Sequence, residues 1–120
     1  MYQVISDVLE RSAKQFANRD ALCVAGAGDK AISYSQLQTS VHHGIDFLRK
    51  NGVERGTPVI LLSESGPQWL TMFFAIVGAG GVVIPLMESI PQPNLQFIAG
   101  FSKAQVVLTS ERLVLRQESF

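Results

Sequence analysis

Phe73-Phe74-Ala75-Ile76-Val77-Gly78-Ala79-Gly80-Gly81-Val82-Val83-Ile84-Pro85-Leu86 decides the architecture. From Trp69 to Met87 the only polar side chain is Thr71, so the run approaches the roughly 20 residues that a spanning helix requires. Three glycines interrupt it, Pro85 follows, and no basic cluster or aromatic belt flanks it. The pattern predicts a buried helix that stops near Gly78, a tight glycine connection, and a buried strand from Gly81 to Pro85. It does not predict a membrane span.

Working outward, Pro67 suits the first turn of that helix and Ser63-Glu64-Ser65-Gly66 is the loop before it. Thr57 to Leu62 reads as a strand covered on both faces, because its apolar run is uninterrupted. Upstream, Leu37, Val41, Ile45 and Leu48 form the stripe of a helix, with Ser35 and Gln38 as a capping box and Gly52 as its left-handed stop. Before it, Ala21 to Ala25 and Ala31 to Tyr34 flank Gly26-Ala27-Gly28-Asp29-Lys30 as a hairpin. Gln3 to Phe16 is an amphipathic helix carrying Val4, Ile5, Val8, Leu9, Ala13 and Phe16. Downstream, Pro91 and Pro93 introduce a helix bearing Leu95, Ile98 and Phe101. Gln105 to Thr109 is a further strand, after which Ser110 caps a last helical turn.

Strands alternating with helices of this length predict an α/β fold: a partial parallel-sheet layer with flanking helices and a short N-terminal hairpin. No linker or internal repeat divides residues 1–120. Apolar residues make up 47% of the chain and charged residues 17%, enough for a core and inconsistent with disorder. For 120 residues the apolar share is high, which predicts surface covered by something outside the sequence. Ten basic and ten acidic residues cancel, with no concentrated basic face, which argues against a nucleic acid or an anionic membrane as partner. The lone Cys23 excludes an intrachain disulfide, and the first residues lack a signal-peptide pattern; both point to a cytoplasmic setting.

Chemistry-bearing motifs are scarce. Gly26-Ala27-Gly28 lacks the third glycine of a dinucleotide fingerprint, since that position is Ala31 and a strand follows. Gly78 to Gly81 follows a helix and precedes a strand, the wrong side for anion binding at a helix N-terminus. His42 and His43 sit roughly 100° apart on one helix and share no metal-binding face; solvated histidines are the expectation. Cys23 reads as a small buried apolar residue, and no GxSxG elbow occurs. Glu64 and Glu88, each after a buried strand, are the carboxylates best placed at the strands' C-terminal edge, with Ser89 beside the second. No catalytic, cofactor-binding or metal-ligating residue is assigned.

The order of segments resembles one family. Ile32-Ser33-Tyr34-Ser35-Gln36-Leu37 resembles the threonine-tyrosine-x-x-leucine opening of the second helix in adenylate-forming (AMP-binding) enzymes of the acyl-CoA synthetase and fatty-acid–AMP ligase type. Gly52-Val53-Glu54-Arg55-Gly56-Thr57-Pro58-Val59 and Leu61 through Trp69 are similar to the segments that follow there, and Phe73 to Leu86 matches best. Pro91, and then Ala104-Gln105-Val106-Val107-Leu108-Thr109, continue in register. The resemblance implies an N-terminal segment of an AMP-binding ligase. Such an enzyme joins a carboxylate to the α-phosphate of Mg-ATP and then usually passes the acyl group to the thiol of CoA or of phosphopantetheine. It also implies that the phosphate loop, the adenine and magnesium motifs and the mobile domain with its lysine lie beyond Phe120, so that the segment is scaffold with no catalysis of its own. The rest of the ligase is then its partner. Where many members carry asparagine-proline-arginine, this chain has Met87, Glu88 and Ser89. Two alternatives stand beside this reading: a short non-catalytic interaction module, and a small flavodoxin-like ligand-binding domain.

Overall fold

A computed structural model describes residues 5–23 and 31–110. Among these residues nine elements follow in order. They are α1 (Ile5–Gln15), β1 (Asp20–Cys23), β2 (Ala31–Ser33), α2 (Tyr34–Lys50), β3 (Pro58–Leu62), α3 (Pro67–Gly78), β4 (Val82–Leu86), α4 (Gln92–Ser102) and β5 (Val106–Thr109). β1 and β2 pair antiparallel, as a hairpin requires, with a register shift between Asp20 and Leu22. The Gly26–Gly28 turn and the helical turn expected after Ser110 lie outside the described residues.

β3, β4 and β5 form a parallel sheet in the order β4-β3-β5, with Ile60 opposite Ile84 on one side and Val107 on the other. Side chains alternate along β3 and divide the core accordingly. Val59 and Leu61 pack with Leu48 of α2 and Ala75 and Ile76 of α3. Ile60 and Leu62 pack on the other face with Leu95 of α4. β3 to β4 and β4 to β5 step in opposite directions across the sheet, and their helices lie on opposite faces. That arrangement keeps both crossovers the same hand. A third cluster of Leu9, Leu37 and Val41 seats α1 and the hairpin on α2.

Four sequence expectations need correction. The capping box of α2 is Ser33 with Gln36, two residues before the expected pair. Gln36 N–H donates to Ser33 Oγ at 3.1 Å and Ser33 N–H to Gln36 Oε1 at 2.9 Å. Ser33 ends β2 with extended backbone, φ −73° and ψ 162°, whereas Ser35 is already helical. β4 is not buried: among the described residues it is an edge strand, with Val82 52% exposed. Val82 N–H donates to Thr57 O toward β3, so the alternation along the strand turns position 85 away from it. A proline there removes no ladder bond. Phe101 does not share the buried stripe of α4; six residues at 100° each place it about 120° from Leu95, and it is 81% exposed. Cys23 is exposed, not buried.

Two glycines permit close packing. A Cβ on Gly44 would stand 2.8 Å from Ala75 Cβ, so its absence lets α2 and α3 approach closely. Gly80 combines φ +91° with a virtual Cβ 3.1 Å from Arg55 Cα, which fixes the turn between α3 and β4 against the approach to β3. Gly52 supplies the left-handed residue expected after α2, at φ +91°. No helix among the described residues is long and apolar enough to cross a membrane.

Candidate functional site

Adjacent parallel strands whose following helices take opposite faces leave a crevice at their C-terminal ends. Here that switch falls between β3, which continues into α3, and β4, which continues into α4. Ser63-Glu64 leaves β3 and Met87-Glu88-Ser89 leaves β4, so the expected candidates flank the switch point. Ser110, after β5, shares the same edge.

The residues differ in how they are held. Ser63 is buried and Glu64 half-buried, whereas Glu88 and Ser89 are exposed in a turn. Ser110 Oγ donates to Glu64 Oε1 at 2.9 Å, tying the end of β3 to the end of β5. Ser63 Oγ lies 3.3 Å from both Glu64 Oε2 and the Glu64 carbonyl, and its one proton serves either acceptor. Thr109 Oγ1 is buried without a hydrogen-bond partner. Its face of β5 is that of Val107, toward α4. Sequence reasoning missed the Ser110–Glu64 bond. The available signal was that Ser63 and Ser110 each follow a buried parallel strand.

Two helix N-termini point at this edge. α3 starts from Gly66 and Pro67, α4 from Pro91, and neither cap has a side-chain hydrogen bond. Their partial positive ends favour carboxylates and other anions nearby. A cleft of about 430 Å³ opens beside them on the α3 face, lined by Ser40, Gln68, Thr71 and Ser110 among others. At the opposite edge a cleft of about 750 Å³ is lined by Arg49, Arg55 and Gly80. Both helices beside it end there, so Arg49 answers the negative end of α2.

Chemically, the C-terminal edge holds acceptors and hydroxyls in a braced arrangement. Among the described residues no group of three or more His, Cys, Asp or Glu side chains is placed to hold a metal. His42 Nε2 lies 3.5 Å from Glu10 Oε1 across α1 and α2, with both side chains more than half exposed. Such a pair contributes little to stability.

The chain matches the family model described as AMP-binding enzyme over residues 9–119. A linear gramicidin synthase of Brevibacillus parabrevis is 34% identical over 89 residues, which cover 74% of this chain and 1% of that protein. The anthranilate CoA ligase AuaEII, solved with anthranoyl-AMP, superposes with a TM-score of 0.88 at 26% identity, covering 98% of this chain and 22% of that one. The N-terminal subdomain of NpsA from Klebsiella oxytoca superposes at 0.82 with 18% identity, over 92% of this chain and 28% of its own. The chain therefore spans only a minor part of the proteins it matches.

Proposed function

The chain belongs to the AMP-binding enzyme family, and from that premise we propose that it is the opening segment of an acyl-adenylate-forming ligase. The observation that carries the reading is the near-complete superposition on AuaEII, with strand, glycine connection and parallel register in order. The same match weighs against a flavodoxin-like ligand domain or a free-standing interaction module.

In the complete enzyme, a carboxylic acid attacks the α-phosphate of ATP, giving acyl-adenylate and pyrophosphate. A thiol of CoA, or of a phosphopantetheine carrier, then displaces AMP. Two anions meet in the first step, so the reaction needs magnesium and fixed donors to screen their charge. This segment contributes the sheet. Its braced C-terminal edge, with Glu64 fixed by Ser110 and the Glu88–Ser89 turn beside it, forms one wall of the acyl or thiol entrance. The phosphate loop and catalytic lysine come from the remainder of the ligase, which is the segment's principal partner. The setting is cytoplasmic, where ATP and the thiol acceptors are supplied.

Carboxylate-dependent ATP–pyrophosphate exchange tests this. The 120-residue chain is expected to show none, and a longer polypeptide from the same gene, continuing into a phosphate loop, is expected to show it. Turnover by the 120 residues alone defeats the scaffold assignment. A longer polypeptide without exchange for any carboxylic acid defeats the ligase assignment.

A further inference from the structure

α4 carries no charged residue from Gln92 to Ser102. Leu95 is its buried contact with the sheet, and at 100° per residue Phe97, Gly100 and Phe101 lie about 120° to 160° away from it. Phe97 is 71% and Phe101 81% exposed, and their rings stack with centroids 6.0 Å apart. Nothing lies within 4 Å of a Cβ built on Gly100. Glycine is the poorest helix former after proline, and this one meets no neighbour that its small size could accommodate. A helix facing water has no use for that combination of two stacked rings, an uncharged surface and a missing side chain. A helix crossed closely by another does, because a small residue flanked by large apolar ones forms a notch for the partner's ridge.

We propose that the Phe97–Gly100–Phe101 face of α4 is the docking surface for an apolar helix that follows later in the same AMP-binding domain. This rests on the reading of the chain as a segment of a ligase. It commits to that occupant because the chain accounts for only 28% of the NpsA N-terminal subdomain chain. The remaining part of such a domain has to share a core with this one, and α4 presents an uncharged apolar face for it. A second copy of the chain is the competing occupant.

The test compares the 120-residue chain with the longer polypeptide that the same reading frame encodes through the rest of the domain. Each is made as wild type, as Gly100→Leu and as the double variant Phe97→Ser/Phe101→Ser. Leucine at position 100 improves the helix and meets open space, so it is expected to raise the melting temperature of the short chain. In the long polypeptide it fills the notch and is expected to lower the melting temperature. The serine pair is expected to destabilise only the long form. Amide exchange across residues 96–101 is expected to be at least tenfold slower in the long form. A Gly100→Leu gain in both forms, equal exchange in both, or a reading frame that closes at Phe120 overturns the proposal. So does a dimer of the short chain that Gly100→Leu disrupts, since the second copy is then the occupant. ATP–pyrophosphate exchange by the long wild type is read separately: exchange with an exposed α4 sinks the docking surface alone. A docked α4 without exchange sinks the ligase reading alone.

Discussion

The two faces of the parallel sheet are finished to different degrees. Toward α2 and α3, Val59 and Leu61 meet a cluster that includes Leu48, Val53, Ala75, Ile76 and Ala79, all buried. Toward α4, Ile60 and Leu62 share their buried cluster with Leu95, and beyond it the helix turns an apolar, uncharged back to solvent. One sequence thus builds a closed core and an open one on opposite sides of the same strand. A closed core responds to truncation by leaving a cavity, whereas an open one relaxes into it.

The sharpest break of that contrast is Leu61→Ala against Leu95→Ala. Both side chains are fully buried, yet the first is expected to cost about 4 kcal/mol and the second nearer 2 kcal/mol in urea unfolding. Equal costs would mean that the α4 face is as well packed as the other. Next comes Gly44→Ala, where the added methyl must push Ala75 away. Overpacking exceeds the helix-propensity gain, for a net loss of about 1–2 kcal/mol. A neutral result would show that α2 and α3 are free to slide, and that the closed side is looser than its burial suggests. Ser33→Ala is expected to remove about 1 kcal/mol, and Ser35→Ala almost nothing, by thermal unfolding. The smallest effect has the opposite sign. Lys103 sits at φ 60° and ψ 26° after α4, so Lys103→Gly is expected to add about 0.5–1 kcal/mol to stability on the open side.

Much of the fold was legible because its signals are local. The β3 run is apolar at every position from Val59 to Leu62 because both its faces are covered, and the structure covers both. Pro67 and Gly52 punctuate helices by backbone preference alone. What escaped was relational. Ser33-Tyr34-Ser35-Gln36 and Ser35-Gln36-Leu37-Gln38 satisfy the same capping pattern, and only the end of β2 chooses between them. Phe101 looked continuous with Leu95 and Ile98 because steps of three residues lag the helix by about 60° each. β4 looked interior because a parallel strand's apolar run does not say whether a neighbour lies on one side or two. At the candidate site, the position of Glu64 was readable from the end of β3. Its bond to Ser110 joins residues 46 apart, a pairing that only the order of strands brings about.

The position of β3 in the middle of the sheet carries a consequence for how the chain reaches this state during synthesis. Its partners both come later: Ile60 pairs with Ile84 and then with Val107. A ribosome therefore releases the greasiest strand of the segment well before either neighbour exists, and two long loops must close before its hydrogen bonds are complete. Until then the nascent Val59–Leu62 stretch is a binding site for chaperones, and slow translation between residues 62 and 106 prolongs that exposure.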